Sequence, residues 1–358
     1  MKYLLLSLIL LGIFSYIEIQ FEANADVSSD IKSIESKNGW GVTTLDPNTS
    51  KVYVTNFRSN TVTIIDGDSD IIISEINVGN SPYGIGINTD TKMLFVAREH
   101  VDILTIINST SEEIVKNLEL NDPYDIAVNS KTNRVYVTSD QSNQLSVLDG
   151  NTNEILATLD IDVPCGVAVN DSTNMIYVTS ESTNKIHVIN GSTNRLETTI
   201  DVGDNPRGVI VNPNTNMIYV ANQMSNSVSV INGDTNTVID SIQVGDSPRR
   251  VVVNPTSNII YVSNQMSNSI SKIDGRTNQV LEDIFVQQPY ELTINPKTGK
   301  IYVSYFGESS LSIVNDFEDK IDPISQNQSI LILILSIIVV AIMIIMIFFR
   351  KKRLRATQ

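Results

Sequence analysis

A short motif that returns every 41 or 42 residues constrains this chain more than any other feature. Tyr53-Val54-Thr55-Asn56, Tyr136-Val137-Thr138-Ser139 and Tyr219-Val220-Ala221-Asn222 are its clearest copies. The aromatic falls at Tyr53, Phe95, Tyr136, Tyr177, Tyr219, Tyr261 and Tyr302. A second marker keeps the same frame at Pro82, Pro123, Pro164, Pro206, Pro248 and Pro289, with Gly39 in its place in the first copy. A fixed period of this size means one supersecondary unit repeated, each copy too small to bury both of its faces alone. Seven copies are present.

Each copy reads as four short β-branched runs separated by turns. In the fifth these are 209–211, 217–221, 228–231 and 238–244, parted by Asn-Pro-Asn-Thr-Asn, Gln-Met-Ser-Asn and Asn-Gly-Asp-Thr-Asn. Asn, Gly and Pro supply the dihedrals that tight hairpins need, and Val, Ile, Thr and Tyr favour strands. Four strands in about 42 residues is the pattern of a propeller blade, so the expected fold is all-β, a seven-bladed β-propeller. No run outside the two ends reads as a long amphipathic helix.

At these residues the chain resembles the YVTN-repeat β-propellers, secreted or surface-layer-like prokaryotic proteins, over about residues 30–316. The resemblance implies seven blades and a place at the cell surface, and it implies no single activity. Phe95-Val96-Ala97-Arg98 is the copy that departs furthest from the motif.

The seventh copy stops after its third strand, at 311–314. Residues 30–47 align without a gap on 238–255, which places Ile31 and Ile34 where Ile239 and Ile242 stand. The N-terminal segment 30–36 is therefore expected to supply the missing outer strand of the last blade. That would cover an edge otherwise open to aggregation.

The two ends suggest a membrane. Lys2, the apolar run 4–17 and Ala23-Asn24-Ala25 follow the order of a secretory signal over 1–25, cleaved after Ala25 or retained as an anchor. Residues 330–349 carry no charge and are long enough to span a bilayer as a helix; the basic tail 350–358 that follows places the C-terminus in the cytoplasm. The propeller would occupy 26–316, joined by a linker at 317–329. Setting aside one Lys and two Glu in 1–25 and five basic tail residues, 26–329 keep 19 basic and 38 acidic groups, a net charge of −19. Such a surface repels phosphate backbones, so no nucleic-acid partner is expected. One cysteine, Cys165, excludes an intramolecular disulfide, and two histidines leave little for a Cys/His metal cluster. No cofactor and no metal site is expected.

Strands alternate in direction, so the loops before the first strand and after the second share one face, here the top. Just past the Pro marker lie Trp40, Tyr83, Tyr124, Cys165, Arg207, Arg249 and Tyr290, one per blade, expected to ring the channel mouth. The next position is Gly41, Gly84, Gly166 and Gly208 in four copies but Asp125, Arg250 and Glu291 in three. Aromatics with Arg are the composition of binding hot spots, so Trp40, Tyr83, Tyr124, Arg207, Arg249, Arg250 and Tyr290 form the candidate ligand site; the bland alternative is that they plug the mouth. The other top loops add Phe57, Arg58, Arg98, Glu99, His100, Asp140, Glu181, Gln223, Gln265 and Phe306. Bottom loops are stereotyped turns. Four Asn-x-Ser/Thr triplets, at Asn48, Asn108, Asn170 and Asn190, fall on them, and Asn327 lies in the linker.

Chemistry is less legible. Asp66-Gly67-Asp68-Ser69-Asp70 spaces its acids as calcium loops do, yet lacks an EF-hand's Gly and late Glu and reads as a hairpin turn. His187 replaces the Ser of other copies and belongs on a strand face between blades. His100 reads as a solvated side chain. Catalysis would need Asp125, Glu291, Asp140, Glu181 and His100 to converge from different blades. The sequence therefore reads as a membrane-anchored cell-surface propeller that binds a protein or glycan of the cell envelope. The alternatives are an extracytoplasmic hydrolase or lyase using acids at the mouth, and a structural surface-layer subunit. Oligomeric state is left open.

Overall fold

The structure is a computed structural model that describes residues 31–35, 41–305 and 310–315. Those residues form seven four-stranded antiparallel sheets and, among them, no helix. The first six sheets are sequential, spanning 43–77, 82–119, 126–160, 164–201, 206–243 and 248–285. Each is a meander whose first strand lines the channel and whose fourth faces outward. The chain is a seven-bladed β-propeller.

The seventh sheet is composite. Its inner three strands are Pro289–Ile294, Lys300–Tyr305 and Ser310–Asn315, and its outer strand is Ile31–Glu35. Ile31 pairs with Val314 and Glu35 with Ser310, so the two ends of the propeller meet at the bottom of one blade. The alignment onto the fifth and sixth copies holds in detail. Ile34 and Ile242 are both buried, at 8% and 6% exposure, whereas Ile31 and Ile239 are exposed.

The core lies between blades rather than within them. Each Tyr of the repeat is buried to 2% exposure or less, as is Phe95. Tyr177, Ile186 and Val188 of blade four pack on Val209, Ile218 and Val220 of blade five. At the last seam, Ile34, Tyr302, Leu311 and Ile313 of blade seven meet Val52, Val54 and Ile65 of blade one. Period-two alternation of β-branched residues thus gives every blade two apolar faces, and only a ring can cover all of them.

A polar ladder runs beneath these cores. The Asn that ends each inner strand donates to the Asn in the first bottom turn of the next blade. Asn88 reaches Asn133 at 2.6 Å, Asn129 reaches Asn174 at 2.9 Å, Asn170 reaches Asn216 at 2.7 Å and Asn212 reaches Asn258 at 2.6 Å. The acceptors are left-handed, with φ of 51° to 59°, a conformation Asn tolerates better than most residues. Between blades one and two an ion pair, Asp46 with Lys92 at 3.4 Å, takes the place of the amides. The ladder fails on both sides of blade seven. Gly299 stands where Asn254 would find a partner, and Ser50, at φ 56°, stands opposite Asn295, whose buried Nδ2 has no partner.

Other contacts hold that seam. Lys300 donates to Asp70 at 2.8 Å and to the Gly67 carbonyl, the Tyr302 hydroxyl donates to the same carbonyl at 3.2 Å, and Lys32 of the closing strand reaches Asp70 at 3.3 Å. The Asp66–Asp70 segment is accordingly a hairpin turn, as expected. Asp66 caps the amides of Asp68 and Ser69, and Asp70 is occupied by two lysines. Ser50→Asn should complete the ladder at the last seam. We expect a gain of about 1 kcal/mol, roughly 2 °C in Tm by thermal denaturation of the full chain; an unchanged Tm would mean Asn295 is satisfied in another way.

Candidate functional site

The top of the channel is built where each inner strand begins. Pro82, Pro164, Pro206, Pro248 and Pro289 open their strands, and pairing with the neighbouring strand slips just after each Pro. Such a bulge re-aims side chains, and it brings the collar residues together. At the following position a Cβ on Gly84 would stand 2.0 Å from the Tyr124 carbonyl, and one on Gly166 would stand 2.4 Å from the Arg207 carbonyl. The backbones of adjacent blades are too close there for any side chain.

The expected collar converges, and it does so as a closed cluster. Tyr83, Tyr124, Cys165 and Tyr290 are buried at 3%, 9%, 5% and 4% exposure. The Tyr83 hydroxyl lies 3.0 Å from that of Tyr124 and 3.1 Å from that of Tyr290, and the rings of Tyr83 and Tyr124 stack with centroids 4.7 Å apart. The Arg249 guanidinium sits 3.7 Å above the Tyr290 ring and donates through Nη2 to the hydroxyls of Tyr83 and Tyr290. Burial pushes all three phenols upward, so they stay protonated. Arg207 donates to Glu181 at 3.0 Å and Gln223 at 3.1 Å, and its Nη1 lies 3.5 Å from Cys165 Sγ. Burial also pushes the Cys165 thiol up, which keeps it from acting as a thiolate. Trp40 and Phe306 lie outside the described residues.

Beneath the collar the three non-glycine residues of the next position form an ion triad across the channel. Arg250 donates to Asp125 at 3.1 Å, and its Nε lies 3.0 Å from Glu291 Oε2. The second contact is an ion pair by distance without hydrogen-bond alignment, since that oxygen accepts no hydrogen bond. Burial alone would lower the pKa of Arg250, and Asp125 and Glu291 outweigh it, so the guanidinium holds its proton firmly. Burial raises the Glu291 carboxyl while Arg250 pulls it down. Asp125 also accepts from the Val167 amide of the adjacent blade. Arg250 divides the channel: above it is about 20 Å³ of open space under the collar, below it a chamber of about 220 Å³ walled by Thr43, Thr44, Thr293 and aliphatic side chains.

The acids proposed for catalysis therefore separate into three groups. Asp125 and Glu291 belong to Arg250, and Glu181 belongs to Arg207. His100 and Asp140 gather on the top loops of blades two and three. His100 Nε2 lies 3.4 Å from Glu99 and its Nδ1 3.6 Å from Asp122, while the Gln141 amide donates to Asp140 at 2.9 Å and to Asp122 at 3.3 Å. Burial, then the neighbouring Asp122, pushes the Asp140 carboxyl up to about 6. Among the described residues no three His, Cys, Asp or Glu side chains are grouped as metal ligands. His187 sits on the strand Lys185–Asn190 as expected, and burial lowers its pKa.

The bottom turns sort the glycosylation triplets. Asn48 is exposed; Asn170 is fully buried, its Nδ2 spent on Asn216; the Nδ2 of Asn190 donates to Glu197 at 2.9 Å. Asn108 caps its own turn through Oδ1, and Asn327 lies outside the described residues, as do segments 1–25 and 330–349. Among the described residues no helix is long and apolar enough to cross a membrane.

Comparison with known proteins places the fold and stops there. The family described as lactonase, 7-bladed beta-propeller, matches residues 170–284, about the fourth to sixth blades. No curated protein matches the chain. Among solved structures, a chain of Kuenenia stuttgartiensis hydrazine synthase is 14% identical, with TM-score 0.71, covering 82% of this chain and 98% of its own. Virginiamycin B lyase from Staphylococcus aureus is also 14% identical, with TM-score 0.69 and coverage of 79% and 98%.

Reading single positions missed two features. Asp122 sits next to the Pro marker and was not singled out, although it organises the His100 loop. The triad was visible only as three departures from glycine at one repeat position, with opposite charges, which is the signal that could have paired them.

Asp140 offers a pH test. Its ordinary value is 3.8 and its folded value is about 6, so the folded chain binds the proton more tightly. Its contribution to stability is full below the ordinary value and is lost as pH rises through about 6. Asp140→Asn should therefore raise Tm relative to the wild type above pH 6 and have little effect below pH 4. A difference independent of pH would show that Asp140 titrates normally.

Proposed function

We propose that this chain is a membrane-anchored cell-surface propeller that serves as a binding module of the cell envelope, with the collar as its contact face. One observation carries the reading: Tyr83, Tyr124, Cys165, Arg207 and Arg249 line one small space, and Tyr290 bonds to two of them, so that side chains from six different blades converge. Tyr and Arg held in fixed rotamers by mutual bonds lose little entropy when a partner docks. The uncharged apolar run 330–349 followed by basic residues, the signal-like order of residues 1–25 and the resemblance to secreted YVTN-repeat proteins are the sequence features that support this location. With Tyr83, Tyr124 and Tyr290 buried in one another, a protein or glycan of the envelope would meet their outer edges, Arg207 and Gln223.

A second reading is favoured by the match at 170–284 to the lactonase propellers and the likeness to a lyase: an extracytoplasmic hydrolase or lyase. Its acid would be Asp140, half protonated near pH 6, with His100 and Asp122 beside it. That cluster lies on blades two and three, outside the matched segment. The two readings separate in one experiment on the full chain. Arg207→Gln with Gln223→Ala should cut retention of envelope components at least tenfold while Asp140→Asn leaves it intact, and lactone hydrolysis should be absent from both. Turnover of a lactone that Asp140→Asn abolishes would favour the enzyme; retention unaffected by the collar pair would remove the binding reading.

A further inference from the structure

We propose that the space under the collar holds a single monatomic anion, a halide, against Arg249, whether or not the mouth also serves a partner. Three guanidiniums line that space, those of Arg207, Arg249 and Arg250. Arg250 is held by Asp125 and Glu291, and Arg207 by Glu181. Arg249 has no carboxylate within ion-pair distance among the described residues. Its Nη2 is spent on the hydroxyls of Tyr83 and Tyr290, and its Nε is buried with no acceptor. A charged N–H without an acceptor inside a protein is costly, and buried charges are ordinarily paired. The second carboxylate on Arg250 offsets the charge of Arg249 at a distance and gives it no hydrogen bond.

The surroundings favour an anion over other occupants. Tyr83 and Tyr124 line the same space, and burial keeps both protonated; one of their hydrogens is spent in the bond between them, and when Tyr83 gives it the Tyr124 O–H is left to donate. Cys165 is likewise a neutral thiol there. The two lining carboxylates are turned to Arg250. About 20 Å³ gives room for one particle the size of a water. A water is the competing occupant, and it would leave the charge of Arg249 without a counter-ion in contact.

Bromide provides the test because it is detected directly. Crystals of the full chain grown in bromide should show an anomalous peak in direct contact with Arg249 Nε, as a charge-assisted hydrogen bond requires. In solution at constant ionic strength, Tm should rise by a constant increment for each tenfold increase in chloride or bromide above its dissociation constant, and not with gluconate, which is too large. Arg249→Gln should abolish the increment and Tyr124→Phe should weaken halide binding several-fold. Halide dependence that survives Arg249→Gln overturns the proposal. Should that variant fail to fold, the wild-type crystal decides: water alone at the site, or no peak, overturns it equally.

Discussion

Everything in this ring depends on pairing the strand Ile31–Glu35 with the strand Ser310–Asn315. Seven sheets with two apolar faces each are stable only when no face is left over, and the last seam is the only one not made by sequence neighbours. Its lower edge lacks the Asn ladder, as does that of the seam between blades six and seven. The compensation is electrostatic and specific to the first and last blades. Asp70 lies between Lys300 and Lys32, and the Tyr302 hydroxyl meets the Gly67 carbonyl. An acidic turn that resembles a calcium loop in sequence is in the fold a clasp for two lysines.

The same economy shapes the channel. After the collar residue, Gly84, Gly166 and Gly208 lie so close to the backbone of the next blade, and Gly41 so close to Thr55 of its own, that only glycine fits. The other three copies place Asp125, Arg250 and Glu291 in the freed volume and close the ring across its centre. Breaking such a triad would leave an uncompensated buried charge, which is far more costly than never having had the pair. Among the described collar and triad residues at the mouth, Arg249 Nε and Glu291 Oε2 are the buried polar atoms left without a hydrogen bond, and Glu291 is paired by charge with Arg250. Function at this mouth is accordingly a matter of what can satisfy Arg249 and what can reach the rim around it.

Much of the architecture was legible because repetition converts one reading into seven. The period gave the blade number, the ungapped alignment of 30–47 on 238–255 gave the closing strand, and Ile34 took its burial from Ile242. The collar's convergence followed from its position in the unit. Its state did not, because whether Tyr83 faces solvent or Tyr290 depends on packing between residues 207 positions apart. Charge pairing across the ring was hidden for the same reason, since nothing local links Asp125 to Arg250. Asn170 carries a glycosylation triplet and also ends an inner strand, and only the fold shows that the second role excludes the first.

The most direct test removes the closing strand. Deleting residues 26–35 from the full chain takes away the backbone bonds to Ser310–Asn315 and the burial of Ile34, and should cost about 3–5 kcal/mol, seen as an earlier thermal transition and loss of amide protection in blades seven and one. A chain without that strand that melts where the intact one does, with Ser310–Asn315 still protected from exchange, would contradict the account.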